Sequence, residues 1–316
     1  MSFFAQRLQR VGMTHATANL LLFSITMAWG LSYALLKLLG DSIPPFEMLA
    51  LRFTFSSLFC ILVFRKRLKR ITKQTLNYGV LLGTVMYFTS SAIVYGMQTT
   101  DASTASFLTS SAIVIVPVAQ AVRKRHLPEK KIIAGTIGTA IGIALLSLEG
   151  SLSLSFGAGL CIFSAVLYAT HIILTDQMTR QEDAILLGVI QQIALAGWGW
   201  ITTLLFNTPV MPSSSKEWLV IAVLSLVCGA FAFIMQPFAQ SYTTPENTAL
   251  IFSLEPVFGA CFGMLLLGEQ LSFQASCGAI LVLASVLLTT IHLDTATTKR
   301  IYGIPIHIFS LGHATK

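Results

Sequence analysis

Long apolar segments separated by short polar connectors run through almost the whole chain. A helix needs roughly 20 mostly apolar residues to cross the hydrocarbon core of a bilayer. Ten segments come close to this length: 18–38, 46–64, 77–97, 103–122, 132–148, 156–175, 184–206, 218–240, 247–267 and 273–293. Because most connectors are short, consecutive helices are expected to be antiparallel neighbours. The pattern predicts an all-α polytopic membrane protein with ten transmembrane helices.

The composition agrees with a membrane protein. Only 10% of the residues are charged and 54% are hydrophobic, whereas soluble domains have about 25% charged residues. The net charge of +7 does not indicate a nucleic-acid partner, because eleven of the 20 Lys and Arg residues fall in two connectors, 65–73 and 123–131. The five cysteines lie inside apolar segments, without a CxxC motif or a neighbouring histidine. They are interpreted as buried small side chains, and no metal or cofactor is expected.

The positive charges predict an orientation. The first apolar segment follows Arg7 and Arg10 and is too long for a cleaved signal peptide. If the N-terminus is inside, the connectors after segments 2, 4, 6 and 8 and the C-terminal tail share that side. Seventeen of the 20 Lys and Arg residues then lie there, against Lys37 and Lys216 on the other side. This positive-inside bias predicts a cytoplasmic (inner) membrane protein with both termini in the cytoplasm.

The two halves of the chain are related. Residues 99–105 (TTDASTA) align with residues 243–249 (TTPENTA) at an offset of 144. Five helices in each copy mean that the second copy enters the membrane from the opposite side, as in transporters whose site lies between inverted repeats. The predicted organisation has a cytoplasmic N-terminal segment, a first five-helix repeat, a second five-helix repeat and a cytoplasmic tail, at residues 1–17, 18–148, 156–293 and 294–316.

Several motifs resemble those of one family. Segment 1 has a Trp-Gly motif at Ala28–Tyr33, and segment 2 has a Pro followed by Arg-Phe at Pro44–Phe53. The second half has a block of three parts, at Gln240–Pro245, Leu254–Phe258 and Gly268–Ser272. The chain therefore resembles the EamA-type branch of the drug/metabolite transporter superfamily. This resemblance implies ten helices in two inverted repeats and a transport function, with export of amino acids or related metabolites. The halves differ at one position, because Ser111 stands where the offset places Glu255.

Polar residues at helical spacing are the candidate binding residues. In hydrocarbon a polar side chain needs a partner or a water-filled cavity, so the polar faces of spans are expected to point inward. The faces contain Trp29, Ser32, Tyr33, Tyr87, Ser91, Tyr95, Tyr168, His171, Gln191, Gln192 and Gln236. Such faces would line a central cavity that hydrogen-bonds and stacks on a solute. Hydrogen bonds that only hold the helices together are the alternative.

Two charged residues fall inside predicted spans. Glu255 is expected about 14 Å deep, where a carboxylate costs on the order of 2.5–3.5 kcal/mol. A proton-coupling site or a site for a substrate ammonium group is one hypothesis, and a structural ion pair or hydrogen bond near Pro256 is the other. Arg52, about 9 Å deep, either extends its side chain to the membrane surface or reaches towards Glu255.

Proline and glycine positions predict where the helices bend and approach each other. Three prolines remove the hydrogen-bond donor for the carbonyl one turn earlier; these are Pro117, Pro237 and Pro256, facing the carbonyls of Ile113, Phe233 and Phe252. Two Gly-xxx-Gly pairs, at Gly138 and Gly259, permit close helix packing. These features fit both a rocking movement of one repeat against the other and a static bundle.

The favoured function is a secondary active transporter for a small solute in a lipid bilayer, working by alternating access. No Walker motif for ATP binding occurs in the sequence. A passive channel or facilitator is one alternative. An intramembrane enzyme is disfavoured, since the sequence has no HExxH or GxSxG motif and Asp41 and Asp101 lie in connectors. A homodimer is compatible with the sequence, which does not define the oligomeric state.

Overall fold

The computed structural model describes residues 14–40, 42–96, 98–99, 108–147, 156–206, 209–268 and 272–302. Every regular element in these ranges is a helix. The predicted N-terminal segment before residue 14, the tail after residue 302 and most of the repeat motif at 99–105 lie outside the described residues.

In the described residues, the first half and the start of the second half contain seven helices, one of which is kinked at Phe64. They are α1 His15–Leu39, α2 Pro45–Leu68, α3 Lys73–Gly96, α4 Ala112–Lys124, α5 Lys130–Ser147, α6 Phe156–Thr179 and α7 Ala184–Phe206. Residues 108–110 continue α4 towards the N-terminus beyond a turn at Ser111.

The rest of the second half is interrupted where the sequence predicts continuous helices. Helix α8 (Ser215–Ser225) continues through a π-helical turn, Leu226–Phe231, into α9 (Ala232–Gln240). Helix α10 (Pro245–Phe252) breaks before α11 (Glu255–Phe262), which ends in a second π-helical turn, Gly263–Leu267. The last helix, α12, runs from Phe273 to Tyr302, beyond its predicted end at residue 293.

Seven stretches in the described part of the chain are helical, long enough and apolar enough to cross a membrane. They are His15–Leu39, Pro45–Leu68, Lys73–Gly96, Phe156–Thr179, Ala184–Phe206, Ser215–Gln240 and Pro245–Leu267. Two shorter apolar stretches lie at Leu108–Arg123 and Ser276–Leu288. Large apolar side chains such as Leu204 and Leu62 are about 70% exposed, as expected for surfaces that contact lipid. The protein is therefore an all-helical, multi-pass membrane protein.

Capping residues define where several helices begin. Thr14 and Thr17 form a reciprocal capping box at the start of α1, and Ser214 and Glu217 form one at the start of α8. Helix α10 begins with Thr244 as its N-cap, followed by Pro245. These residues satisfy backbone N–H groups that have no partner inside the helix.

Two helices that pack against each other, α4 and α10, are both broken inside the bundle. The break before α4 is at Ser111 (φ −61°, ψ −9°), and the break after α10 is at Ser253 (φ −67°, ψ −7°) and Leu254 (φ −76°, ψ −9°). Pro256 cannot donate a backbone hydrogen bond to Phe252, so the helix does not continue regularly through this point. A kink was predicted at Pro256, but the separation into two helices was not.

Close packing of glycines brings the helices of the two halves together. Helix α1 packs against α9 and α11, while α7 packs against α2 and α3. At Gly30, an added Cβ would contact the Phe258 Cβ and lie 2.9 Å from the Gly259 nitrogen. Gly30 therefore permits α1 and α11 to approach backbone to backbone.

Gly30→Ala is expected to destabilise the protein by about 1–3 kcal/mol, because the new methyl group meets the α11 backbone and the helices must separate. Gly197→Ala in α7 is the matched control, since an added Cβ there has nothing within 4 Å and alanine favours the helix. Thermal unfolding of both purified variants checks the difference. Equal melting temperatures would show that the α1–α11 approach is not tight.

Candidate functional site

A central cavity lies among helices α1, α2, α3, α6, α9 and α11, together with the residues before α4. Its volume is about 80 Å³. The wall combines aromatic, hydroxyl and charged side chains: Trp29, Ser32, Tyr33, Leu36, Leu49, Arg52, Met86, Thr89, Ser90, Ile93, Val94, Thr109, Tyr168, Phe233 and Glu255. A mostly apolar cavity with a few convergent polar groups is typical of a small-molecule site.

Two side chains of opposite charge face this cavity. Glu255 is the first residue of α11, and its carboxyl group interacts electrostatically with the Tyr33 hydroxyl and the Arg52 guanidinium. Arg52 is 6% exposed, so it does not extend to the membrane surface. Its Nη2 donates a hydrogen bond of 3.0 Å to the Cys228 carbonyl, in the π-helical turn between α8 and α9. The break between α10 and α11 thus positions Glu255, while the π-helical turn between α8 and α9 holds the Arg52 side chain in place.

Aromatic rings form one wall of the central cavity. The Trp29 ring centroid lies 5.2 Å from that of Phe233 and 5.0 Å from that of Phe252. The Tyr168 and Phe252 rings are stacked at 6.0 Å, with an interplanar angle of 6°. These contacts fix the rings in position and present flat apolar surfaces to a bound solute.

Several buried polar atoms in the cavity wall lack a partner. Trp29 Nε1, Arg52 Nε and the Tyr168 hydroxyl have no hydrogen-bond partner among the described residues. Buried polar groups are normally paired, so such atoms require an explanation. In a cavity wall they are groups that a ligand can bind.

A second, smaller pocket adjoins the central cavity, and we call it the side pocket. It lies between α4, α6 and α10 and has a volume of about 10 Å³, which is room for one water-sized sphere. Tyr33, Thr109, Tyr168 and Glu255 line both spaces and separate them. The other lining residues of the side pocket are Ser110, Ala112, Ile113, Ile172, Ala249, Phe252 and Ser253.

The structure brings six of the residues predicted from the sequence together at the central cavity. These are Trp29, Ser32, Tyr33, Arg52, Tyr168 and Glu255. They lie on four helices that are distant in sequence, so their convergence comes from the packing of the bundle.

The predicted face of α3 lies beside the cavity wall. Tyr87 hydrogen-bonds with Thr202 and stacks on Trp198 of α7, while the buried Ser91 hydroxyl has no partner among the described residues. Tyr95 is 37% exposed and packs on Phe46. The cavity is instead lined by the adjacent face of α3, at Met86, Thr89, Ser90, Ile93 and Val94.

The remaining predicted residues form hydrogen bonds between helices. His171 Nε2 lies 3.0 Å from Gln191 Oε1, and Gln236 Nε2 lies 3.4 Å from His171 Nδ1. Because Gln191 Oε1 can only accept, this geometry fits a neutral imidazole protonated on Nε2. Gln236 also donates to Gln240, while Gln192 donates to the Gly229 carbonyl at 3.0 Å. These four side chains connect α6, α7 and α9 and do not line the central cavity.

Sequence reasoning missed Thr89, Ser90, Thr109 and Phe233 in the cavity wall. Residues 86, 90 and 93 of α3 have helical spacing, but the neighbouring face with Tyr87, Ser91 and Tyr95 is more polar and was therefore the predicted cavity face. Phe233 is one turn before Pro237, where a kink was predicted but no cavity contact. Thr109 had no signal of its own, because its position depends on the packing of α4 against α6.

Comparisons with known proteins place the chain among membrane transporters. Residues 16–148 and 155–291 each match the profile of the EamA-like transporter family. Two proteins of Archaeoglobus fulgidus named "Uncharacterized transporter" are each 26% identical. One aligns over 297 residues (92% of this chain, 91% of the relative), the other over 292 residues (87% and 98%).

A bacterial relative and a solved structure extend these comparisons. "Uncharacterized transporter YoaV" of Bacillus subtilis is 24% identical over 284 residues, covering 85% of this chain and 95% of the relative. A crystal structure of a protein, 16% identical, has the same fold, with a TM-score of 0.74; the match covers 89% of this chain and 99% of that one.

His171→Leu is expected to lower the free energy of unfolding by about 1–3 kcal/mol, because it leaves the buried Gln191 and Gln236 amides without their partner. Tyr168→Phe is the comparison, since its hydroxyl has no partner among the described residues and its loss breaks no bond within the bundle. Thermal unfolding of the two purified variants checks this. A His171→Leu protein as stable as Tyr168→Phe would contradict the structural role of the imidazole.

Proposed function

Because the chain belongs to the EamA-like transporter family, we propose that this membrane transporter is a secondary active carrier. It moves a small polar or amphipathic metabolite, such as an amino acid or a related solute, by alternating access. The observation that carries the proposal is the central cavity, where Glu255 and Arg52 face a space walled by aromatic rings.

The chemistry of this cavity suits a small solute with two different polar groups. The Glu255 carboxylate can accept hydrogen bonds from an ammonium group, and the unpaired Arg52 Nε–H and Trp29 Nε1–H can donate to a carboxylate. The rings of Trp29 and Tyr168 offer apolar surface to the rest of the solute. The family resemblance supports export as the direction of transport.

The proposed architecture has ten spans in two inverted five-helix halves. Its support is the separate match of each half to the family profile and the order of helices along the chain. The same topology puts both termini in the cytoplasm and the protein in the cytoplasmic membrane, in agreement with the distribution of Lys and Arg.

With that orientation, the central cavity lies in the half of the bundle away from the cytoplasm. Its wall uses the C-terminal parts of α1 and α3 and the N-terminal part of α2. The cytoplasmic half is closed by polar contacts between helices: Asn247 Nδ2 donates to Asn19 Oδ1 at 2.6 Å, and Thr75 donates to Glu182 at 2.6 Å. This arrangement supports the proposal of an outward-facing state, from which the inward-facing state would be reached when these contacts separate.

A carrier exchanges solute across the membrane, whereas an open channel does not. A thermal-shift screen of the purified protein against amino acids, nucleotides, enzyme cofactors and cationic dyes first identifies a solute that binds. Proteoliposomes loaded with that unlabelled solute are then expected to accumulate the labelled solute transiently above its external concentration. Simple equilibration without an overshoot would support a passive channel instead.

Glu255→Gln is expected to remove the pH dependence of transport, because glutamine keeps the size of the side chain and cannot exchange a proton. Initial rates in proteoliposomes, measured over a range of pH for the wild type and the variant, check this. Glu47→Gln is the matched control, since Glu47 is also buried but binds the Val210 nitrogen away from the cavity. An unchanged pH profile in Glu255→Gln would exclude proton coupling through this residue.

A further inference from the structure

We propose that the side pocket between α4 and α10 binds a monovalent alkali metal cation, with the Glu255 carboxylate as its charged ligand. The binding follows from the oxygen atoms of the pocket. Its use in driving transport rests on the function proposed above. Sodium is the natural probe, because hard cations prefer carboxylate, hydroxyl and carbonyl oxygens.

Several residues in the wall of the side pocket carry side-chain oxygens. Thr109 and Ser110 from the α4 side, Ser253 at the break after α10, and Glu255 all line it. Thr109 and Ser253 are 6% and 2% exposed, so their hydroxyl groups are shielded from bulk solvent. The Tyr168 hydroxyl lines the same pocket, is buried and has no partner among the described residues.

The hydroxyl hydrogens of Ser253 and Thr109 are already used elsewhere. The Ser253 hydroxyl donates to the Leu250 carbonyl at 2.5 Å. The Ser164 hydroxyl donates to the Cys161 carbonyl at 2.7 Å, so in the 3.2 Å contact between Thr109 and Ser164 the threonine is the donor. Both oxygens therefore keep only lone pairs for the pocket. Together with the Glu255 carboxylate, these two oxygens form a set of acceptors that binds a cation better than it binds an anion.

Two residues of this wall have backbone carbonyls that lack their usual helical donor. Pro117 cannot donate to the Ile113 carbonyl, and Pro256 cannot donate to the Phe252 carbonyl. Ile113 and Phe252 both line the side pocket. In addition, α10 ends there, and the C-terminal end of a helix carries partial negative charge. Transporters use discontinuous helices of this kind to coordinate ions near the repeat interface.

The repeat relates the two sides of the pocket. The offset of 144 that aligns residues 99–105 with 243–249 places Thr109 on Ser253 and Ser111 on Glu255. A hydroxyl from each half therefore faces the same space, whereas the acid comes from the second half alone. This asymmetry gives the pocket a single carboxylate, which matches a monovalent cation. Calcium sites normally use several carboxylates.

Glu255 also joins the two spaces, because it lines both. On the central-cavity side it interacts with Tyr33 and Arg52. A cation in the side pocket competes with Arg52 for the same carboxylate. Binding of the cation would then weaken the attraction between Glu255 and the Arg52 guanidinium. Arg52 would become available for an anionic group in the central cavity.

The test measures binding to the full-length purified protein without any transport. Thermal unfolding is followed by tryptophan fluorescence while Na⁺ or K⁺ replaces choline at constant ionic strength. We expect a saturable rise in melting temperature of about 2–4 °C with the alkali cation. Equal melting temperatures in Na⁺, K⁺ and choline would overturn the proposal and leave the transport function untouched.

Ser253→Ala is expected to raise the half-saturating Na⁺ concentration by about tenfold, since it removes one ligand oxygen. Ser241→Ala is the matched control: Ser241 is the C-cap of α9 as Ser253 is of α10, and its hydroxyl also donates to a carbonyl three residues earlier, at 2.7 Å. Equal Na⁺ titrations for these two variants would contradict the assignment of Ser253.

Glu255→Gln is expected to abolish the response to Na⁺. If Ser253→Ala does not fold, Thr109→Val on the other wall of the pocket is tested in its place. The half-saturating Na⁺ concentration is expected to rise by the same factor. A Glu255→Gln protein that titrates with Na⁺ like the wild type would exclude the side pocket as the binding site.

Discussion

Polar groups in hydrocarbon must find partners inside the protein, and this constraint determines where the structure departs from regular helices. An unsatisfied N–H or C=O group costs several kcal/mol in the bilayer core. Helix breaks and π-helical turns are therefore tolerated only where side chains or a cavity receive the released groups. The breaks at Ser111 and Ser253 meet at the side pocket, and the turn at Leu226–Phe231 receives hydrogen bonds from Arg52 and Gln192.

The same constraint sorts the polar side chains into two classes. His171, Gln191, Gln192 and Gln236 bond one another or nearby carbonyls and hold α6, α7 and α9 together, while one amide atom of each glutamine has no partner among the described residues. Trp29, Arg52 and Tyr168 keep unpaired atoms and line the central cavity. The first class stabilises a conformation, and the second class supplies groups for a ligand. Both classes look alike in a helical-spacing analysis, because both place polar residues at every third or fourth position.

This similarity explains how far the sequence could predict the protein. Length and periodicity of the apolar segments predict an all-helical membrane protein, and the motifs predict its family, because both depend on local composition. Glu255 and Arg52 were identifiable because a charge inside an apolar segment is costly wherever it packs. The face of α3 that lines the cavity could not be identified from the sequence. Whether the Tyr87 face or the Met86 face lines it depends on the side of α3 that packs against α7.

The π-helical turn between α8 and α9 changes the faces of the helix that follows it. One extra residue in a turn rotates all later side chains by about 100° around the helix axis. The Phe233 and Gln236 side chains therefore point in directions different from those they would have if α8 continued as a regular α-helix. Arg52 binds a carbonyl of this turn, so conversion of the turn to a regular helix would break that bond and rotate Phe233 in the wall of the central cavity. A single register change in one helix would thus alter the charge and the shape of the site together.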